Sequence, residues 1–366
     1  MSRSLNSIEM YRYPGCTLHQ IGPYIGKVRP NLARQLVLKY SQEGDWVWDP
    51  FCGSGTIPLE CRLLSRHVLA ADTNPYARAL TRAKLYAPTS ESNCLAKLSL
   101  AIKSLENEPP RALNEVPQWV KSFFHEQTLK ETMSLIAHFI SRKQYFYIGC
   151  LLGILHHQRP GFLSYPASHL VPYLRNKLYP RDQFPEAYEY RDPIPRLQAK
   201  IKRMLKYAPP ALTSRFKVMQ KSAVKKYLPN DSVDVVITSP PYMDALDYGR
   251  DNRLRLWFLN VNNYELIKDN EIRRIRTFKE DMSIALRMIS DAIRPGGVCV
   301  LILGDLTRAN KRYDVPTMVS HLVETEVKDL GLENQWVESI PPQRRARRNG
   351  RATQTETILV FRCRRK

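Results

Sequence analysis

The sequence has no uninterrupted apolar run approaching the ~18 residues that cross a bilayer as a helix. Its opening residues, Met1–Gly15, contain no hydrophobic signal core. These absences exclude a helical membrane span and predict a soluble, cytoplasmic protein with no membrane partner. Cysteine is sparse: seven residues (16, 52, 61, 94, 150, 299 and 363), odd in number, scattered and without a CxxC pair. That pattern speaks against a disulfide framework and against a zinc site, and no metal is expected. Acidic side chains are also in short supply. The 56 Lys and Arg outnumber 35 Asp and Glu, giving a net charge of +21. Such an excess is the electrostatic footprint of a phosphate-bearing partner, most often nucleic acid. The 43% apolar content is ample for a core and excludes wholesale disorder.

The N-terminal third reads as α/β. Arg29-Pro30 opens a helical pattern with Leu32, Leu36, Val37 and Tyr40 on one face. Trp46–Trp48 is a short buried strand leading into Asp49-Pro50-Phe51-Cys52-Gly53-Ser54-Gly55-Thr56. Ile57–Leu64 returns to helical spacing, and His67–Asp72 is a second strand ending in an acid. This order is the first unit of a doubly wound parallel sheet. After residue 215 the pattern resumes. Phe216–Met219 and Val233–Ile237 read as strands, and Asp281–Ile293 as a helix stopped by Arg294-Pro295-Gly296-Gly297. Val298–Leu303 is an apolar strand, and Thr357–Phe361 is the last. Three regions are expected: 1–105 and 216–366 as halves of one sheet domain, and 106–215 as an insertion. Within the insertion, Thr128–Ile140 and Tyr145–His156 read as helices with their own small core. The irregular, Pro- and Tyr-rich stretch Gln158–Pro195 reads as a binding loop.

A glycine turn between strand and helix lets backbone N–H groups approach a ligand that a Cβ would hold away. Asp72 follows Gly53 by 19 residues, where an acid can accept the two hydroxyls of an adenosine ribose. The turn is neither the GxGxxG of dinucleotide enzymes nor a Walker loop. Thr238-Ser239-Pro240-Pro241-Tyr242 directly follows a strand, and its prolines stiffen a loop at the carboxyl edge of the sheet. The Ser239 hydroxyl and the Pro240 carbonyl can each accept a hydrogen bond, while the Tyr242 ring offers a stacking face. That set suits an exocyclic amine on a flat heterocycle. Asp244, Asp247 and Tyr248 either line the same pocket or begin the next helix.

With these residues in view, the chain resembles the S-adenosylmethionine-dependent amino-methyltransferases of DNA. DPFCGSGT is similar to their cofactor motif, TSPPY to their catalytic motif, and Gly22–Pro30 (GPYIGKVRP) to the lead-in of their first helix. The resemblance implies a Rossmann-like methyltransferase sheet with a mainly helical insertion. It implies S-adenosylmethionine as cofactor, held by Tyr24, Lys27, Asp49, Pro50, Phe51, Gly53, Ser54, Gly55, Thr56, Asp72 and Thr73. It implies Ser239, Pro240, Pro241 and Tyr242 as catalytic residues. The order of motifs matches the subclass whose target-recognition region lies between them, and the Ser form of the tetrapeptide is typical of cytosine N4. Adenine N6, or an exocyclic amine of tRNA or rRNA, is the alternative target. No Pro-Cys pair of the carbon-5 cytosine enzymes occurs, so the cysteines are expected to be structural. Double-stranded DNA is the expected partner, with a separate restriction endonuclease beside it and a nucleoid-associated location. Gln158, Arg159, Arg175 and Lys177 of the insertion are expected to read bases, and the basic loop Arg344, Arg345, Arg347, Arg348 and Arg351 to contact phosphates.

Overall fold

A computed structural model describes residues 15–109, 111–156, 162–164, 180–207, 211–241, 248–265, 277–308, 311–340 and 355–365. The first half contains α1 (Pro30–Tyr40), β1 (Trp46–Asp49), α2 (Thr56–Leu63), β2 (His67–Ala71), α3 (Pro75–Leu85) and α4 (Glu91–Leu105). Then come α5 (Glu126–Ser141), α6 (Tyr145–Gly153) and α7 (Pro193–Leu205). The second half contains β3 (Phe216–Met219), β4 (Val233–Thr238), α8 (Phe278–Ala292), β5 (Ile293–Gly304), α9 (Val315–Glu326), β6 (Leu330–Ser339) and β7 (Thr355–Cys363).

Helix starts follow local chemistry. Proline occupies the first turn of α1, α3, α7 and α9, where its missing N–H costs nothing. Asn74, Asp192 and Asp314 accept a first-turn backbone N–H with their side chains. The strands order as β3-β2-β1-β4-β5-β7-β6. The first four pairings are parallel, and β7 runs antiparallel to both β5 and β6.

Both faces of the sheet are covered, which is why its central strands are apolar throughout. Val235 and Ile237 of β4, with Val298, Val300 and Ile302 of β5, pack against α1 and α2. Val233 and Val236, with Cys299, Leu301 and Leu303, pack against α8 and α9. This is the doubly wound α/β sheet expected from sequence.

Two features differ from expectation. Arg294–Gly297 does end α8, but the chain begins pairing at Ile293, where Val233 faces Ile293 before a register shift. Gly296 absorbs the irregularity at φ +75°. A Cβ on Gly297 would lie 2.6 Å from the Asp234 carbonyl, so the Gly-Gly pair shapes a bulge as well as a helix stop. Second, α5, α6 and α7 do not form a core of their own. Phe139, Leu151 and Ile201 share one cluster with Ile21, Leu59, Tyr76 and Leu80. A Cβ on Gly149 would meet Ala83 of α3 at 2.3 Å, so α6 lies directly against α3. Helices α3, α4, α7 and α9 and strand β6 were not foreseen. Among the described residues no helix is long and apolar enough to cross a membrane.

Candidate active site

The carboxyl ends of β1, β2, β3 and β4 open onto one cleft. It is lined by residues from separate stretches of sequence that the parallel sheet brings side by side. Tyr24 and Lys27 come from the segment before α1, Asp49–Ser54 and Thr56 from the turn after β1, and Asp72 and Thr73 from the end of β2. Ser239 and Pro241 follow β4. Thus all the expected cofactor residues except Gly55 share a wall with two of the four expected catalytic residues.

The turn is shaped by its glycines. Gly53 sits at φ +48° with the Tyr24 ring 3.4 Å from where a Cβ would stand, so only backbone separates that ring from the turn. Gly55, at φ +74°, does not line the cleft. A Cβ there would lie 2.8 Å from the Thr81 backbone, so its role is the close contact of α2 with α3. Thr81 Oγ1 donates to the Gly53 carbonyl at 3.1 Å, fixing the turn from the same side.

Two carboxylates face the turn. Asp72 accepts the Gly53 N–H at 2.9 Å on one oxygen and the Asn74 N–H at 2.8 Å on the other. A carboxylate has about four lone-pair positions, so acceptor capacity remains on both oxygens. Burial pushes the Asp72 pKa up, and the backbone N–H bonds from Asn74 and Gly53 pull it back. Asp49 is buried and accepts Thr238 Oγ1 at 2.6 Å and the Phe51 N–H at 3.3 Å. Burial raises its pKa to about 7 against those two hydrogen bonds. Burial likewise holds the Cys52 thiol well above its usual range, so it is no thiolate nucleophile. All seven cysteines are buried and free.

The half-buried Ser239 donates its hydroxyl to the Ile302 carbonyl of β5 at 3.1 Å. That bond occupies the hydroxyl proton and leaves the oxygen's lone pairs as acceptors. Pro240 is buried, and Pro241 reaches the cleft. Tyr242 lies outside the described residues, as do Asp244, Asp247, Gln158, Arg159, Arg175, Lys177, Arg344, Arg345, Arg347, Arg348 and Arg351.

Sequence reasoning missed Asn74, Lys221 and Ser222, which complete the wall. Lys221 stands two residues past β3, and the rule that parallel strands point their carboxyl ends at the ligand would have found it. Tyr248 is also resolved as a wall residue. Its ring stacks on Tyr24 with centroids 5.5 Å apart and planes 21° from parallel. The cleft's lining fits an adenosine-type cofactor: a Cβ-free turn, an acceptor carboxylate and an aromatic wall.

Among known proteins, 129 residues of the chain are 26% identical to the Type II methyltransferase M.MjaII of Methanocaldococcus jannaschii. That match takes in 35% of this chain and 22% of the relative, so the chain spans about a fifth of that protein's length. The structure of TrmN from Thermus thermophilus overlaps 94% of this chain and 52% of its own, at 12% identity and a TM-score of 0.39. The rRNA methyltransferase aviRa from Streptomyces viridochromogenes overlaps 98% and 93%, at 12% identity and a TM-score of 0.37. Residues 19–82, which carry the lead-in segment, α1, the glycine turn and Asp72, match the N6/N4 family of DNA methylases.

Proposed function

We propose that the protein is a DNA methyltransferase that transfers a methyl group from S-adenosylmethionine to the exocyclic N4 of cytosine. The observation that carries the reading is a single juxtaposition: Ser239 and Pro241 share one cleft with the glycine turn and Asp72. When bound, the cofactor supplies an electrophilic sulfonium methyl. The chain's own residues have to hold an amine in front of it. Cytosine's amine is a weak nucleophile because its lone pair is delocalised into the ring. Ser239 Oγ, its proton engaged by Ile302, and the Pro240 carbonyl accept the two amine protons, which favours a pyramidal nitrogen. Such positioning contributes on the order of 7–11 kcal/mol in favourable cases. The N–C bond would form as the sulfonium S–C bond breaks, and the methylated amine, by then strongly acidic, would lose its proton to solvent, so no strong base is required. A paired base cannot reach the cleft and has to be flipped out of the duplex, at a cost of a few kcal/mol that stacking on Tyr242 partly offsets. The net charge of +21 favours a polyanionic substrate. A restriction–modification setting, with a separate nuclease, follows from the same reading.

The family match covers both amines, so adenine N6 is the second reading. Mass spectrometry of nucleosides from DNA incubated with protein and cofactor decides between them. N4-methylcytosine is the expected product. N6-methyladenine alone would transfer the mechanism to adenine, and methylated RNA with unmodified DNA would reject the DNA reading.

A further inference from the structure

Strand β1 ends in a carboxylate that reaches sideways to the strand carrying the tetrapeptide. β1 and β4 are neighbours, paired through Val47 with Val235 and Trp48 with Val236. Just past that backbone pairing, Asp49 Oδ1 accepts Thr238 Oγ1 at 2.6 Å, joining residues 189 positions apart. The same oxygen accepts the Phe51 N–H at 3.3 Å, so it also fixes the first bend of the glycine turn. Asp49 is 2% exposed and Thr238 is fully buried. Thr238 immediately precedes Ser239, and the Pro240-Pro241 pair has no soft φ to absorb a displacement. Packing alone does not call for a carboxylate here, because burying a charged or polar group is costly and burying an apolar side chain of equal size is not. A single buried oxygen therefore holds both the turn that faces the cofactor and the loop that faces the amine.

We propose that Asp49 is a positioning residue that couples the cofactor turn to the amine-binding loop, setting through Thr238 where Ser239 and the Pro240 carbonyl stand. This deepens the methyltransferase reading and rests on it. The groups acting on Asp49 from the packed elements are Asp72 at the end of β2, the Thr238 hydroxyl from β4 and the Phe51 amide. Asp49 in turn acts on the thiols of Cys52 and Cys61 and on the Tyr227 hydroxyl, all raised by burial. With its pKa at about 7, the carboxylate is a strong acceptor above neutrality and a weaker, neutral one below it. The coupling therefore loosens as pH falls.

The test measures transfer of a labelled methyl group to DNA for wild type, Asp49→Asn, Thr238→Val, Thr238→Ser and the Asp49→Asn/Thr238→Val double variant. Cofactor affinity is followed by calorimetry and folding by thermal melts. Wild-type kcat at saturating cofactor should fall as pH drops through about 7, and Asp49→Asn should flatten that limb. At pH 8, Asp49→Asn and Thr238→Val should each lower kcat about tenfold or more, the scale of a hydrogen bond to a charged group. Thr238→Ser should keep most of the activity, and the double variant should be no worse than the poorer single one. Cofactor affinity should change less than kcat. A folded Thr238→Val with wild-type kcat, additive losses, or an unchanged pH limb in Asp49→Asn would overturn the coupling while leaving the functional reading intact. A folded wild type that binds cofactor but methylates no DNA at any pH would overturn both.

Discussion

Asp72 and Ser239 line the same cleft, past the ends of β2 and β4, and their hydrogen bonds suit them to different work in the proposed reaction. Asp72 is already engaged by two backbone N–H groups, and only its spare lone pairs are available to a ligand. Removing the acceptor costs on the order of 1.5–3 kcal/mol for each hydrogen bond to a charged group. Asp72→Ala should therefore weaken S-adenosylmethionine binding at least tenfold by calorimetry, and unchanged affinity in a folded variant would refute that role. Ser239→Ala should leave cofactor affinity near wild type and remove most turnover, since in the proposed reaction the hydroxyl, oriented by Ile302, meets the amine and not the cofactor. Both residues were legible in sequence because each directly follows an apolar strand. The hydrogen bond from Ser239 to Ile302 was not, since the two positions are 63 residues apart and meet only through β4–β5 pairing. The Asp49–Thr238 contact was invisible for the same reason.

At the scale of elements, the N-terminal unit could be read nearly residue by residue. Proline at the start of α1 is a local signal, and the turn lies between a strand and a helix of clear period; α3, which Asn74-Pro75 opens, went unread. The role of Gly55 could not be read that way. In the motif it looks like a ligand contact, yet its Cβ position is filled by Thr81 of α3. Gly55→Ala combines a left-handed backbone with a backbone collision, so it should cost about 2–4 kcal/mol in stability. Urea unfolding would measure that loss. If stability held while cofactor binding alone declined, Gly55 would belong to the site after all. The Arg294–Gly297 segment taught a similar lesson. Pro-Gly-Gly is a genuine helix stop, but neighbouring Val233 and Asp234 decide that a strand and a bulge begin there at once.

For the whole molecule, the charge of +21 predicts a salt-dependent grip on polyanions. If Arg344–Arg351 track the phosphate backbone, neutralising two of them should weaken all DNA sequences alike. The slope of log affinity against log salt should flatten by about 0.9 per lost contact. Substitutions in Gln158–Arg196 should instead change which sequences are methylated. Filter binding over a salt series and sequencing of methylated sites distinguish the two. Should the arginine variants change the site and the insertion variants only the slope, the assignment is reversed.

What the sequence determined by itself is local: the strand, glycine turn, helix and acid, the stiff Ser-Pro-Pro loop and the excess of positive charge. These are set by neighbours within a few positions, where periodicity, φ restriction and capping act. Only the tertiary structure decided that residues 24, 49, 72, 221 and 239 share one cleft, because strand order β3-β2-β1-β4 is a non-local property. It alone decided that α5–α7 join the core beside α3 instead of forming their own. Helices with one apolar face cannot specify their partner in sequence, and Gly149 and Gly153 make room for Ala83 and Ile21 only once the chain has folded.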